Sequence, residues 1–154
     1  MTFSFRSATN GDRAAIESLV FGILAEYGLA PDPRSTDADL QNIEGEYHAK
    51  GGSFDVLVAE NGQIVGTVGL YATSSGVCEI RKMYLASHAR GQGLGHRLLK
   101  HALAQAKALN FSRVELETAS VLKEAVALYE RCGFRQFRPC HLSPRCDSVY
   151  HVCI

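Results

Sequence analysis

The sequence predicts an α+β fold: a mixed, mostly antiparallel sheet with a central parallel strand pair, flanked by about four helices. Two observations carry this. Between Cys78 and Leu116 the pattern runs strand, glycine-rich loop, helix, strand, a unit that joins parallel strands by a right-handed crossover. Upstream, two strand-like runs, Phe54 to Glu60 and Gln63 to Tyr71, flank Asn61-Gly62, a dipeptide that tolerates positive φ and closes an antiparallel hairpin. A chain of 154 residues fits one domain, 1–154, and buries a core without disulfide or metal staples.

Each element follows from local pattern. Phe3 to Arg6 reads as a first strand, and Thr9-Asn10-Gly11-Asp12 as a capping box that opens an amphipathic helix with the stripe Ile16, Leu19, Val20, Ile23 and Leu24. After the Gly/Pro loop Gly28 to Arg34, a polar second helix is expected from about Asp37 to Lys50, its weak apolar face suiting a lid or rim. The turn Ser74-Ser75-Gly76 leads into the strand Cys78 to Leu85. The period then changes: Leu94, Leu98, Leu99, Ala102, Leu103, Ala106 and Leu109 mark one helical face, and Val114 and Leu116 share one face of the next strand. A last helix, about Leu122 to Cys132, ends at Gly133, and closing strands span roughly Phe134 to Cys140 and Ser148 to Cys153.

Composition excludes several classes. Sixteen basic and sixteen acidic residues balance to a net charge of zero, without the electrostatic footprint of a nucleic-acid or anionic-membrane binder. Met1 to Arg6 holds no apolar signal core and no run approaches a spanning helix, so a cytoplasmic protein is expected, with no nucleic-acid and no membrane partner. The five cysteines are odd in number and lack the C-x-x-C pairs of structural zinc sites, so reduced thiols and no metal are expected. The tail does gather Cys140, His141, Cys146, His151 and Cys153, in a spacing that matches no metal pattern.

The chemistry centres on Arg90-Gly91-Gln92-Gly93-Leu94-Gly95, between an apolar strand and a helix start. Glycines let the backbone approach a ligand, and a helix's first turn offers unsatisfied N–H groups and the positive end of its dipole, so the loop suits a polyphosphate. It is not a dinucleotide fingerprint, because His96 stands where the third glycine belongs. It is not a nucleotide-triphosphate loop either, because His96-Arg97 replaces the lysine and hydroxyl residue that would follow Gly95.

Arg90, Gly93 and Gly95 meet the pattern Q/R-x-x-G-x-G/A, preceded by Met83-Tyr84-Leu85 and followed by Leu128-Tyr129-Glu130-Arg131-Cys132-Gly133-Phe134. This pair of motifs resembles the coenzyme-binding half of the GNAT superfamily of N-acetyltransferases, the second being similar to its L-Y-x-x-x-G-F segment. The resemblance implies a single GNAT-like domain and acetyl-CoA as co-substrate. Its pyrophosphate would lie on the backbone of Arg90, Gly91, Gln92, Gly93, Leu94 and Gly95, and its pantetheine arm would pair like an extra strand with Met83, Tyr84 and Leu85. It further implies that this strand and the next splay apart, and that Tyr129 stands near the coenzyme sulfur to protonate the leaving thiolate. Homodimers are common in the family, and an edge strand near the C-terminus could mediate one.

Acetyl transfer needs a neutral amine, and an alkylammonium of pKa near ~10.4 needs a base. Alternation places Glu79, Arg81 and Met83 on one strand face and Ile80, Lys82 and Tyr84 on the other. Glu79 is the candidate base, with Glu117 as runner-up; the competing reading of Glu79 is an ion pair with Arg81 or Arg97. A backbone N–H around Met83 to Leu85 would meet the oxyanion. Lys123 replaces an asparagine frequent in the family, and His88 and His96 flank the loop. The acceptor, a small-molecule amine or a peptide, is not specified: Asp37, Asp39, Glu44 and Glu46 suit a cation or a solvated face, whereas Arg138 and Arg145 suit an anion. A non-catalytic acetyl-CoA sensor is the alternative. A toxin-like acetylase of aminoacylated RNA is disfavoured by the neutral charge.

Overall fold

In a computed structural model, which describes residues 2–138, 142 and 145–154, seven strands form one sheet. They are β1 (Phe3–Ser7), β2 (Ser53–Ala59), β3 (Ile64–Ser74), β4 (Val77–Leu85), β5 (Arg113–Thr118), β6 (Arg135–Phe137) and β7 (Ser148–Cys153). Their spatial order is β1-β2-β3-β4-β5-β7-β6. β4 and β5 pair in parallel, as the crossover pattern requires, and the other pairings are antiparallel. The α-helices are α1 (Arg13–Glu26), α2 (Leu94–Ala108) and α3 (Lys123–Arg131).

Two apolar layers sandwich the sheet. On one face Leu98, Leu99 and Ala102 of α2 and Leu128 of α3 cover Cys78, Ile80, Val114 and Leu116. On the other, Ile16, Val20 and Leu24 of α1 pack with Leu40, Ile43, Tyr47, Phe54 and Val56. Each such side chain, fully buried, stabilises the fold by about 1.5–3 kcal/mol. Leu109 falls one residue beyond α2 and is 38% exposed, so the helical stripe ends sooner than its periodicity predicts. Asn110, with φ of 67°, turns the chain away there.

The second helix is the main departure. The segment expected as an α-helix over Asp37 to Lys50 forms a 3-10 turn at Ala38–Asn42 and a π turn at Glu44–His48. It is no polar rim either, since Leu40, Ile43 and Tyr47 are fully buried. The cause lies in its charges. Asp37 receives both terminal nitrogens of Arg145 at 2.9 and 2.8 Å and the N–H of Asp32 at 2.8 Å. Lys82 adds its ammonium at 3.3 Å from Asp37 and 3.0 Å from Asp39, and Tyr47 donates its hydroxyl to Asp39. Turning both aspartates inward breaks the regular helix. Asp37 and Asp39 are thus neither a solvated face nor a lure for a cationic substrate; Glu44 and Glu46 do stay outside, Glu46 paired with Lys50.

Lys82 also corrects the strand parity. Its φ of 55° marks a bulge, with register shifting between Thr67↔Tyr84 and Gly69↔Arg81. The extra residue brings the Lys82 side chain to the face that carries Glu79 and Arg81, instead of the face of Ile80. Thr67 pins the bulge by donating its hydroxyl to the Lys82 carbonyl at 2.6 Å.

Burial raises the Asp37 carboxyl's pKa, but its bonds from Arg145 and the Asp32 N–H, with the charge of Lys82, outweigh this and leave it lowered. A carboxyl lowered in the folded state contributes stability that is complete above its unfolded pKa of ~3.9 and is lost as pH falls through the folded value. Replacing Asp37 by Ala strands the Arg145 guanidinium and leaves Lys82 with Asp39 as its one carboxylate, and is expected to cost about 3–5 kcal/mol at neutral pH in urea unfolding, with the difference from wild type shrinking below about pH 4.

Candidate active site

The site begins where two strands part. β4 and β5 are paired from Val77↔Arg113 to Ile80↔Leu116 and no further. Beyond that point β4 stays on β3 as far as Gly66↔Leu85, while β5 stays on β7 as far as Thr118↔Ser148. A wedge opens between them. The splay that no sequence pattern reveals is therefore present, and it leaves the β4 backbone around Met83 to Leu85 without a strand neighbour on the β5 side.

One cavity, of about 300 Å³, lies at the carboxyl end of β4. It is lined by Met83, Tyr84 and Leu85, by Arg90, Gly91, Gly93, Leu94 and Gly95 of the loop, and by Leu128 of α3. Gly91 and Gly93 both have φ of 77°, a left-handed conformation that side chains disfavour, and a Cβ built on either meets nothing within 4 Å. The N–H groups of Leu94, Gly95 and His96 open α2 and have no carbonyl one turn back, and those of Gly91 and Gly93 make no hydrogen bond among the described residues. Arg90 behaves differently. Its own N–H binds the Ser87 carbonyl, and its guanidinium turns back to the Leu85 carbonyl at 3.1 Å and to Glu26 at 3.1 and 3.0 Å. It ties the loop to β4 and α1.

A second cavity, smaller and more polar, occupies the wedge itself. Glu79, Arg81, Lys82, Met83, Tyr84, Glu117, Tyr129, Arg145 and Cys146 all line it. The two cavities share Met83, Tyr84 and Leu122, so they meet across the β4 edge. Glu79 and Arg81 form the anticipated ion pair, Nε to Oε1 at 2.5 Å, which leaves the other carboxylate oxygen without a hydrogen bond among the described residues. Burial raises the Glu79 pKa, a shift only partly offset by Arg81. Tyr129 is 5% exposed, rests against Phe134 at 5.8 Å, and its hydroxyl makes no hydrogen bond among the described residues. Desolvation holds that hydroxyl well above its ordinary pKa, so it stays a proton donor. Burial likewise lifts Tyr84 to about 12 and the Cys146 thiol to about 11, which leaves Cys146 a poor nucleophile.

The profile of the Acetyltransferase (GNAT) family matches residues 18–134. The chain belongs to that family. An uncharacterized N-acetyltransferase of Escherichia coli K12, YjgM, is 40% identical over 134 residues, covering 84% of this chain and 80% of its own. An acetyltransferase of the GNAT family from Staphylococcus aureus Mu50 superposes with a TM-score of 0.92 at 23% identity, covering 99% of both chains. A GNAT phosphinothricin acetyltransferase from Sinorhizobium meliloti, solved in complex with acetyl-CoA, superposes with a TM-score of 0.78 at 19% identity, over 100% of this chain and 89% of its own. The chain is accordingly an acetyltransferase with the GNAT fold, and that family uses acetyl-CoA.

One grouping lies beyond the reach of the sequence. Lys82, Asp37 and Arg145 form one buried ionic cluster, yet Arg145 and Asp37 stand 108 positions apart. A lysine inside an apolar strand was the available signal. Lys123 is exposed at the start of α3, and His88 lies away from the loop cavity, on the groove beside α1, whereas His96 does line the loop cavity. Of the tail group, Cys140 and His141 lie outside the described residues, His151 packs edge-on against Phe137, and Cys153 is exposed. β6 covers Arg135–Phe137, and the end of the expected strand at Cys140 lies outside the described residues. No helix among the described residues is long and apolar enough to cross a membrane.

Gly93→Val places a branched side chain on a left-handed backbone and into the space above the first turn of α2. Calorimetry is expected to show loss of coenzyme A binding while circular dichroism keeps the wild-type spectrum; wild-type affinity in this variant would mean that the loop is not the phosphate cradle.

Proposed function

We propose that the protein transfers an acetyl group from acetyl-CoA to a primary amine by direct attack in a ternary complex. The observation that carries this reading is the meeting of the two cavities at the unpaired edge of β4: one suits a polyphosphate, the other holds a carboxylate and a buried phenol. Acetyl-CoA supplies the acetyl thioester. The main-chain N–H groups of Gly91 to Gly95 hold its pyrophosphate, with Gln92 and Leu94 contributing backbone only. The Arg90 side chain holds the loop in shape rather than the phosphate. The β4 edge at Met83, Tyr84 and Leu85 accepts the pantetheine arm as a strand neighbour, and its N–H groups are the candidates to meet the developing oxyanion.

On the other side of the wedge the amine arrives protonated and must lose a proton. Glu79 takes that role, directly or through a water, by the oxygen that Arg81 leaves unoccupied; Glu117, lining the same cavity, is the second candidate. Burial, which raises the pKa of Glu79, moves it toward working pH and makes it a better base than an exposed glutamate. Tyr129 stands ready to donate its proton to the departing thiolate. A coenzyme sensor without turnover would need neither a carboxylate nor a phenol aimed at the wedge.

Thiol release from acetyl-CoA across polyamines, amino acids, aminoglycosides and peptides tests the reading; tight coenzyme binding with no turnover of any amine would favour the sensor. Two variants sharpen it. Tyr129→Phe should lower kcat roughly tenfold, less than the ~10²–10⁴ usual for general acids, because a thiol of pKa ~8.5 already leaves well. The acidic limb of kcat/KM should lie above the ordinary glutamate value of ~4.3, since the base works only when deprotonated, and Glu79→Gln should abolish that limb. An unchanged limb in Glu79→Gln would move the role to Glu117.

A further inference from the structure

We propose that Arg81 is the specificity-determining residue of the acceptor site, and that it clamps a carboxylate carried by the amine substrate, which makes that substrate an amino-acid-type molecule. The inference rests on the acetyl-transfer reading for the reaction but on separate observations for the clamp.

Arg81 is held in two independent ways. Its guanidinium lies over the Tyr71 ring at 3.8 Å from the centroid, which sets the plane, and Glu79 takes its Nε at 2.5 Å, which sets the rotation within that plane. Tyr71 is itself fixed, edge-on to Tyr47 at 5.7 Å, with its hydroxyl receiving Lys50 at 3.3 Å. With the Nε edge engaged, the two terminal nitrogens of Arg81 are presented as a fork, and among the described residues they have no hydrogen-bond acceptor. The Arg81 side chain is 33% exposed and lines the wedge cavity, so the fork is reachable.

The other cations of that cavity are used up. Lys82 has Asp39, Asp37 and the Thr36 carbonyl around its ammonium, the last at 3.1 Å. Arg145 spends both terminal nitrogens on Asp37 and reaches the Ala30 carbonyl at 3.3 Å. These two build the wall, and Arg81 faces the guest. A planar fork of N–H donors matches the two oxygens of a carboxylate, whereas a lysine in its place would offer only a point charge. Glu79 and Arg81 share one face of β4 and line the same cavity as Met83, so the amine of an acceptor held at Arg81 lies in the cavity that also holds the Glu79 carboxylate and the β4 edge.

Matched acceptors test the clamp. A series of free amino acids is compared with their carboxamides by thiol release from acetyl-CoA, in wild type, Arg81→Gln and Arg81→Lys. In parallel, butyrate and glutarate, which lack the amine, are titrated by calorimetry into the coenzyme A-saturated proteins, with butyramide as control. Wild type should favour the free acids by about ten- to a hundredfold in kcat/KM, chiefly through KM, as expected for a charge-assisted pair of hydrogen bonds. Arg81→Gln should erase that preference and the carboxylate binding without a change in coenzyme affinity, and Arg81→Lys should recover a small part. Carboxamides turned over as well as the acids, a preference that survives Arg81→Gln, or carboxylate binding that the substitution leaves unchanged would overturn the proposal. Arg81-dependent carboxylate binding with no turnover of any amine would uphold the clamp and sink the acetyl-transfer reading; turnover without preference would do the reverse.

Discussion

The site depends on one bend, the bulge at Lys82. A non-glycine residue at positive φ costs on the order of 1–3 kcal/mol and persists only where its surroundings hold it. Here the hold is double: the Thr67 hydroxyl fixes the Lys82 carbonyl, and Asp37 and Asp39 fix its ammonium. Because β4 bends there, its pairing with β5 stops at Ile80↔Leu116 and the wedge opens. Without the bend, the parallel pair would run on, and the edge at Met83 to Leu85 would be consumed by β5.

The two sides of the wedge are built on different physics. The cradle side uses backbone: two left-handed glycines, a helix start and an unpaired strand edge. The other side uses side chains whose charges cancel nearly in place. Asp37 and Asp39 together neutralise Arg145 and Lys82, so these two form a wall instead of a binding surface, while the Glu79–Arg81 pair keeps donors and an oxygen directed at the cavity. On the reading proposed above, backbone recognises the phosphates of the donor and side chains choose the acceptor.

What could be seen in the sequence divides along the same line. The Arg90 to Gly95 loop, the strand before it and the Tyr129 segment are local signals whose meaning needs only spacing and period, and the hairpin at Asn61-Gly62 is of the same kind. The bulge is not such a signal: one inserted residue reverses the side-chain parity after Arg81, and only the pairing with β3 shows it. The ionic cluster escaped for another reason. Its partners come from three distant segments, so the sequence pairs none of these charges, and a regular second helix follows only if its aspartates point outward. Glu79 was legible as half of a pair, but the significance of Arg81 needed Tyr71 beneath it.

The link between Asp37 and Arg145 also sets an order of assembly. The loop, β4 and α2 are all in place by Ala108, whereas the wall contributed by Arg145 and Cys146 waits for the last stretch of chain, and β7 must then insert between β5 and β6. Contacts of such long sequence separation form late because loop closure has to precede them. During synthesis, the wall that closes the wedge cavity is therefore the last part of it to be built.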